Sequence, residues 1–388
     1  MNQGKYVFAQ LTDFLPQRVF DRYVEYYNGN ARVRHFSCWN QMMCMMFGQL
    51  SGRDSLSDLV SGLNAHRRKS YHLGLSISVT KANLAKANKN RDWRIFAAFA
   101  YYLIDEARKV CNPDQDFSVA FEGPVFAFDS TTIDLCLSVF WWAYFRKAKG
   151  GIKLHTLYDV KTSLPTMILI TDALTHDVNA LDCIEYEKGG FYIFDRGYVD
   201  FKRLHHIHQE MAFFIVRAKH NLKFKRMYSR QHKKGSNVCS DQIGILPNYK
   251  SSKDYPDKIR RVKFYDEENR QYIVVLTNNF DLTAEDIALL YRYRWKVELF
   301  FRWIKQHLKI KSFWGTSINA VKVQVYIAII TYTLVSIIKS KLKLEKSIYE
   351  ILQILSFSLI DKTPINELLT NQDYQDVKEQ NYNQLNIF

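Results

Sequence analysis

Five short apolar runs between residues 125 and 216 constrain the fold of this chain more than any other sequence feature. They have the length and composition of β-strands, and they are Val125 to Phe128, Gly151 to Tyr158, Thr166 to Thr171, Phe191 to Phe194 and Ala212 to Val216. Helix candidates near Asn179 to Glu187 and Phe201 to His208 separate the later runs. Three strands in succession, followed by alternation with helices, are typical of a mixed sheet with helices packed against it. The sequence therefore predicts an α/β fold.

Two of the five runs lead directly into an aspartate. Asp129 follows the first run and Asp195 follows the fourth. Strand ends can bring distant carboxylates together, so both are candidate catalytic or metal-binding residues. Other acids near predicted strand ends are alternatives for the second position, namely Asp134, Asp159, Asp172 and Asp177. We prefer Asp195 because an apolar strand leads into it. His155 and His176 either lie near the site or serve the structure.

A third carboxylate, Glu298, lies on a predicted helix from Tyr291 to Lys305. Four polar residues, Tyr291, Arg294, Glu298 and Lys305, have offsets of zero, three, seven and fourteen. At roughly 100° per residue these offsets fall within an arc of about 60°. The neighbouring stripe of Val297, Phe301, Ile304 and Leu308 is apolar and is expected to pack inward. By itself the stripe could be a surface ion pair, but with Asp129 and Asp195 upstream it predicts a site of three carboxylates.

Positive charge dominates the chain, since 54 Lys and Arg outnumber 39 Asp and Glu to give a net charge of +15. An anionic partner is expected, and nucleic acid is the leading candidate. Between residues 217 and 263, fourteen cations face three acids, with aromatic residues interleaved. We predict a basic β-rich insertion over residues 218–265 that follows a phosphate backbone, with Lys223, Lys225 and Arg226 as DNA contacts. The alternative is a charged solvated loop.

The first 118 residues are predicted to be helical. Ser37 is a candidate N-cap for a helix from Cys38 to Leu50, and Ser78 or Thr80 for a later one. The later helix carries Lys81, Asn83, Lys86, Asn88 and Arg91. Asn and Arg can pair with base edges while Lys holds phosphate, so the segment could be a helix-turn-helix reader with Lys81, Lys86 and Arg91 as DNA contacts. The alternative is a solvated helix.

The remaining features concern the cellular compartment and the C-terminal part. Six cysteines without a CxxC pair, and an N-terminus without a signal-peptide layout, indicate reduced thiols in a cytosolic protein. The apolar run from Val323 to Ile338 is interrupted by polar residues and is predicted to be a buried helix, not a membrane span. We predict an amphipathic helix from Lys346 to Ile360 and a poorly ordered tail from Asn371 to Phe388.

Several of these segments together resemble the DDE transposases of bacterial insertion sequences, specifically the insertion-sequence-four family. The matching segments are FAFDSTTIDL around Asp129, GIKLHTLYD, FDRGY around Asp195, and the signature Tyr-x2-Arg-x3-Glu-x6-Lys at Tyr291, Arg294, Glu298 and Lys305. The resemblance covers roughly residues 120 to 340. It implies a ribonuclease-H-like core over 119–217 and 266–340, in which the first and fourth strands are neighbours and the late helix lies over them. It also implies an insertion over 218–265 and a DNA-end-binding domain over 1–118, while the sequence pattern itself predicts a C-terminal helix and tail over 341–388.

The chemistry implied by this resemblance is metal-dependent DNA cleavage at the element's ends and strand transfer into target DNA. Clustered carboxylates repel one another unless protons or cations neutralise them. Oxygen-only ligands favour Mg²⁺, or Mn²⁺ as a substitute, and two ions are expected. Asp129 would bridge them, with Asp195 and Glu298 each holding one. Arg294 and Lys305 would contact phosphates, and Tyr291 would hydrogen-bond a phosphate or place the helix.

The partners implied are double-stranded DNA, both as element ends and as target, and a second copy of the chain when it is assembled on DNA. We expect a location in the bacterial cytoplasm at the nucleoid, without a membrane. Two other functions stay open. One is a nuclease with the same fold that cleaves without joining, and the other is an inactive relic that only binds DNA. A joining assay separates the first from a transposase.

Overall fold

The computed structural model describes residues 4–75, 79–111, 117–119, 121, 123–135, 140, 142, 144–146, 149–307, 310 and 313–370. The first described part is helical, with α1 (Val7–Thr12), α2 (Gln17–Tyr26), α3 (Cys38–Leu50), α4 (Leu56–Ala65), α5 (Arg67–Ser70), α6 (Lys81–Asn90) and α7 (Arg94–Val110). The side chain of Ser37 accepts a hydrogen bond from the Asn40 N–H, and Thr80 accepts one from Asn83. These caps confirm both predicted helix starts, whereas Ser78 and the predicted tail lie outside the described residues.

The central element is a mixed sheet of ten strands. They are β1 (Val125–Leu135), β2 (Tyr144–Arg146), β3 (Lys149–Asp159), β4 (Leu164–Asp172), β5 (Phe191–Phe194), β6 (Phe213–Arg217), β7 (Lys225–Arg230), β8 (Val238–Ile245), β9 (Ile259–Asp266) and β10 (Gln271–Thr277). β3 lies antiparallel between β4 and β1, and β1, β5 and β6 are parallel neighbours. The order β4-β3-β1-β5-β6 has the first and fourth predicted strands adjacent. The expected ribonuclease-H-like α/β fold is confirmed.

The strands after β6 extend the same sheet. β10 pairs antiparallel with β6, and β9, β8 and β7 follow it outward in that order. The basic segment over residues 218–265 therefore continues the sheet, with α9 (Tyr249–Asp254) between β8 and β9. β7 lies at the outer edge, where most of its side chains are exposed. The proposed domain boundaries stay predictions.

Between β4 and β6 the chain forms short helical segments. The predicted helix from Phe201 to His208 is confirmed as α8 (Phe201–Gln209). The predicted helix from Asn179 to Glu187 is wrong, because the chain forms a 3₁₀ segment over Asp177–Cys183. This segment has no side-chain cap at its start, and its stability comes from the sheet, where Ala180 and Leu181 are buried.

The prediction of one helix from Tyr291 to Lys305 is also wrong. The segment forms α10 (Ala284–Arg292) and α11 (Trp295–His307), with Tyr293 and Arg294 in a tight turn between them. The Tyr293 ring stacks on Phe117, and its hydroxyl accepts a hydrogen bond from the Ser118 N–H. These tertiary contacts fix the turn, and neither proline nor glycine marks it in the sequence.

Three helices complete the described chain, α12 (Ile318–Lys341), α13 (Ile348–Ser358) and α14 (Ile365–Leu369). Of the described helices, α12 alone is long and apolar enough to cross a membrane, and 94% of its most apolar window is buried inside the protein. The predictions of a buried helix over Val323 to Ile338 and an amphipathic helix over Lys346 to Ile360 are confirmed. A single apolar core joins α12 to the N-terminal helices and to one face of the sheet.

The two faces of the sheet carry separate cores because successive side chains of a strand point to opposite sides. Val125 and Ala127 belong to the core shared with α12, whereas Phe126 and Phe128 belong to a second core under α8. This alternation decides on which face each polar residue further along β1 lies. Asp129 follows on the α12 side and Ser130 on the α8 side.

Candidate active site

Asp129 and Asp195 lie next to each other at one edge of the pairing between β1 and β5. Phe128 and Phe194 are paired in register on these parallel strands, and each aspartate is the next residue. The prediction that Asp129 ends its strand is wrong, since β1 continues to Leu135 by pairing with β3. The parallel partner ends at Phe194, so the sheet opens beside Asp129 although its own strand does not stop.

Glu298 reaches this edge from α11, which packs over β1. Val297, Phe301 and Ile304 are buried beneath the helix, so the predicted apolar stripe is confirmed for these three residues, and Leu308 lies outside the described part. The guanidinium of Arg294 connects the carboxylates. Its Nη1 lies 2.5 Å from Glu298 Oε1 and 3.4 Å from Asp129 Oδ2.

The other two residues of the spaced signature contact the same region. The buried Tyr291 places its hydroxyl 3.5 Å from Asp195 Oδ1, at the limit of a hydrogen bond. Lys305 donates from Nζ to Thr131 Oγ1 and to the carbonyl oxygen of Thr132, both on β1. All four signature residues therefore lie against β1 or Asp195, despite the turn that divides their helix.

Negative charge is concentrated in a poorly hydrated place. Burial is the main reason that the pKa of Asp129 is raised to about 6, and the charges of Glu298 and Asp195 act in the same direction. The Ser130 N–H and the charge of Arg294 oppose the rise. Burial also raises the pKa of Tyr291 to about 12, which leaves its phenol neutral at pH 7. A cation at this place would relieve the repulsion between the carboxylates.

The donors fit a divalent ion in chemistry. Asp129, Asp195 and Glu298 offer only oxygen, which Mg²⁺ and Mn²⁺ prefer. In their present positions, however, no three His, Cys, Asp or Glu side chains of the described chain are grouped closely enough to bind a metal ion. Arg294 supplies positive charge between Asp129 and Glu298 instead.

The predicted DNA contacts of the N-terminal region divide into two kinds. Lys81 and Lys86 are exposed on α6. Arg91, in contrast, donates from its guanidinium to the carbonyl oxygens of Phe36 and Ser37 and to Gln41 Oε1. These bonds hold the partly exposed Arg91 against the start of α3, and its role as a DNA contact stays a prediction. The buried Asn88 likewise accepts a hydrogen bond from Gln41.

The predicted contacts of the basic segment lie on or beside the outer edge of the sheet. Lys223, Lys225 and Arg226 are all exposed, the last two on β7. Met227 and Tyr228 on the same strand are also largely exposed. Strand β7 is the last strand of the described sheet and carries exposed cations, an arrangement that discourages pairing with another strand and suits a polyanion.

The alternative acids are placed away from the three carboxylates, with one exception. Asp159 accepts hydrogen bonds from the Lys161 and Thr162 N–H groups, and Asp172 accepts from Thr175, so both support turns. Asp177 accepts a hydrogen bond from Ser130 Oγ, next to Asp129 in the chain. Asp134 is exposed on β1, and His176 is exposed as well.

Ser130 and Lys153 were not among the predicted site residues. Lys153 lies 3.2 Å from Asp177 through its Nζ. Strand alternation could have identified Ser130, because Ser130 is a polar residue on the face of β1 that otherwise carries the apolar Phe126 and Phe128. No local sequence pattern marks Lys153, because its partner Asp177 comes only after strand β4 and the following loop.

The chain matches known protein families over most of its length. Residues 120–334, more than half of the chain, match the family described as the transposase DDE domain. Residues 3–76 match a family described as a domain of unknown function (DUF4372). The first match contains Asp129, Asp195, Glu298 and the whole spaced signature.

Curated relatives point the same way. The chain is 39% identical over 215 residues to a Sinorhizobium fredii protein named as the transposase y4zB, and 33% identical over 229 residues to a Geobacillus stearothermophilus protein named as a transposase for insertion sequence element IS5377. These alignments cover 54% and 58% of this chain and 59% of each relative. A Synechocystis protein named as a transposase for element IS4SA is 23% identical over 270 residues, which cover 67% of this chain and 72% of the relative.

Among solved structures, the piggyBac transposase synaptic complex with hairpin DNA aligns with 97% of this chain and 89% of its own chain, at 12% identity and a TM-score of 0.44.

Proposed function

Because this chain belongs to the transposase DDE domain family, we propose that it is a DNA transposase that cleaves DNA at the ends of an insertion sequence and joins the freed ends to target DNA. One observation carries the proposal: Asp129, Asp195 and Glu298 come from two strands and a late helix to one edge of the sheet. The names of the relatives support it. The spaced signature favours an element of the insertion-sequence-four family.

The family generally uses divalent metal ions. We propose that Asp129, Asp195 and Glu298 would hold Mg²⁺, or Mn²⁺ in its place, as two ions. Such ions, when bound, activate the attacking oxygen and stabilise the leaving oxygen of the phosphodiester. Asp129 must be ionised to serve, and burial, which raises its pKa to about 6, makes it lose its proton at a higher pH than an exposed aspartate does.

The chain's own residues position the DNA. Arg294 would contact a phosphate near the scissile bond. Lys305 would contact a phosphate from its place against β1. Tyr291 would donate from its neutral hydroxyl to a phosphate, or hold α10 through Asp195.

Two exposed basic surfaces would hold the DNA outside the site. Lys81 and Lys86 on α6 would contact the element's end, and Lys223, Lys225 and Arg226 along β7 would follow the phosphate backbone. Two DNA ends must be brought together, so we propose a homodimer on DNA. A protein acting on bacterial DNA would work in the cytoplasm at the nucleoid.

The test uses purified protein, Mg²⁺ or Mn²⁺, and DNA carrying the element's own ends. Wild type should cleave and join, whereas Asp129→Asn and Glu298→Gln should do neither while still binding the ends. Asp134→Asn is the matched control, since it makes the same change at an exposed position of β1 and should leave both steps intact.

Other outcomes would replace the proposal. Cleavage without joining under all conditions would identify a nuclease with the same fold. Binding to the ends without any metal-dependent cleavage would identify an inactive relic. Full activity in both carboxylate variants would show that the reaction does not depend on this site.

A further inference from the structure

A polar cluster lies behind Asp129, on the opposite face of the central sheet. This rear cluster consists of Ser130, Lys153, His155 and Asp177. Successive side chains of a strand point to opposite faces, so Asp129 faces α11 while Ser130 faces the side on which Phe128 is buried. His155 is opposite Ser130 in the register of β1 and β3. The cluster is therefore separated from the three carboxylates only by the backbone of β1.

Ser130 links the two faces. Its backbone N–H donates a hydrogen bond of 2.8 Å to Asp129 Oδ1, and its Oγ donates one of 2.8 Å to Asp177 Oδ1. One residue thus touches the candidate metal ligand through its main chain and the rear carboxylate through its side chain. Any rotation of the peptide between Asp129 and Ser130 would disturb both bonds.

Asp177 is itself held from a second direction. Lys153 Nζ lies 3.2 Å from Asp177 Oδ1 and donates a hydrogen bond of 2.7 Å to the carbonyl oxygen of Thr175. The Lys153 side chain is mostly buried, whereas that of Asp177 is 39% exposed, so water screens this ion pair in part. The fully buried His155 lies beside the pair, with Nδ1 3.9 Å from Asp177 Oδ1. The loop after β4 is thereby fastened to the sheet behind Asp129.

We propose that Asp177 is a positioning residue, which acts through Ser130 to hold Asp129 in the orientation that binds the divalent ion. The inference rests on the proposed function. Groups hydrogen-bonded to metal ligands orient them, and their loss costs about 10- to 100-fold in metal affinity or activity. Asp177 has this place in the structure although it does not face the ion.

The experiment measures Mn²⁺ binding to the purified full-length protein without DNA, by isothermal titration calorimetry, with thermal unfolding recorded for every variant. Ser130→Ala and Asp177→Ala should each weaken Mn²⁺ binding by about 10- to 100-fold. The double variant should be no weaker than the poorer single variant, because both changes break one chain of contacts. Ser130→Thr keeps the hydroxyl and should retain most of the affinity. Asp134→Asn removes one negative charge from the same strand without breaking the link, and should bind like wild type.

The outcomes separate this inference from the function on which it rests. If Asp129→Asn abolishes Mn²⁺ binding but Ser130→Ala and Asp177→Ala bind like wild type, even with a lowered melting temperature, Asp177 is merely structural and the inference is overturned while the metal site stands. If Asp134→Asn weakens binding as much as Asp177→Ala, the effect is one of net charge and the positioning role is again overturned. If wild type binds no Mn²⁺ that depends on Asp129, both the inference and the proposed metal chemistry fail.

Discussion

His155 shows what burial does to one titratable side chain of the rear cluster. It has no exposed surface, its Nε2 lies 2.9 Å from Thr171 Oγ1, and its ring stacks on Phe128. Burial lowers the pKa of His155 to about 4; the charge of Asp177 opposes this change and that of Lys153 adds to it. The ring is therefore neutral at pH 7 and stays neutral in mildly acidic solution.

This neutral histidine should make the folded protein less stable in acid. Between pH 6.5 and 4 the unfolded chain protonates His155 whereas the folded chain does not, so the free energy of unfolding falls as the pH falls. The loss due to His155 should reach about 2 kcal/mol at pH 5 and about 3 kcal/mol at pH 4. Urea unfolding at pH 7.5 and pH 5 would measure it.

The matched variants are His155→Gln and His176→Gln. Between pH 7.5 and pH 5, the free energy of unfolding of His155→Gln should fall by about 2 kcal/mol less than that of wild type. This difference does not depend on the stability of the variant at pH 7.5. The second alters an exposed histidine and should follow wild type. An unchanged pH dependence in His155→Gln would contradict the assignment of a neutral buried ring.

Secondary-structure elements are held in place by a buried ion pair between the outer strands and the start of α10. Arg260 on β9 and Asp241 on β8 are both buried and form a bidentate pair with distances of 2.8 and 2.9 Å. Arg260 also donates to the carbonyl oxygens of Asn279 and Leu282, just before α10. The pair therefore connects the basic part of the sheet to the helix that leads to Arg294.

Removing either Asp241 or Arg260 should destabilise the folded protein, because the remaining buried charge is left without its counter-ion. We expect Asp241→Asn to lower the free energy of unfolding by about 3–5 kcal/mol, as measured by urea unfolding. Glu268→Gln breaks the exposed pair with Arg292 and should cost at most about 1 kcal/mol. The double replacement Asp241→Leu with Arg260→Met should recover much of the loss. If Asp241→Asn lowers the free energy of unfolding only as much as Glu268→Gln does, the buried pair does not stabilise the fold.

Taken as one body, the protein joins a helical part and a sheet through a shared core, and carries its excess charge on the outside. Helix α12 packs against α3, α6, α7 and β4, and the Tyr101 hydroxyl on α7 donates to the Ile168 carbonyl oxygen on β4. The surface bearing α6 is thus joined through α12 and α7 to the sheet that carries Asp129.

The charge distribution predicts a strong dependence of DNA binding on salt. Each phosphate contact contributes about −0.9 to the slope of log affinity against log salt concentration on duplex DNA. Replacing Lys225 and Arg226 by alanine should reduce the steepness of that slope by up to about 2. The slope would be measured by fluorescence anisotropy on a DNA duplex at salt concentrations from about 50 to about 200 mM.

Lys188→Ala with Lys343→Ala is the control, since it removes the same charge from exposed positions outside the predicted surfaces. Its slope should stay close to that of wild type. Equal effects from the two double variants would mean that DNA is held by net charge alone and that β7 is not a binding surface.

The sequence by itself determined the features that are written locally. Strand periodicity located β5 to the residue, Ser37 marked the start of α3, and the spacing of Val297, Phe301 and Ile304 gave the buried side of α11. The order of Asp129, Asp195 and Glu298 along two strands and a helix was enough to predict that they meet. Their catalytic role stays a prediction for the experiments above.

Tertiary structure alone decided the features that depend on partners distant in the chain. The turn at Arg294 exists because Tyr293 packs on Phe117, and Arg91 is held by carbonyl oxygens on the segment before α3. The link from Asp177 to Asp129 needs a loop brought back across the sheet. Such contacts form only when the chain has folded, because hydrogen bonds and ring contacts act over a few ångströms and carry no signal in the local sequence.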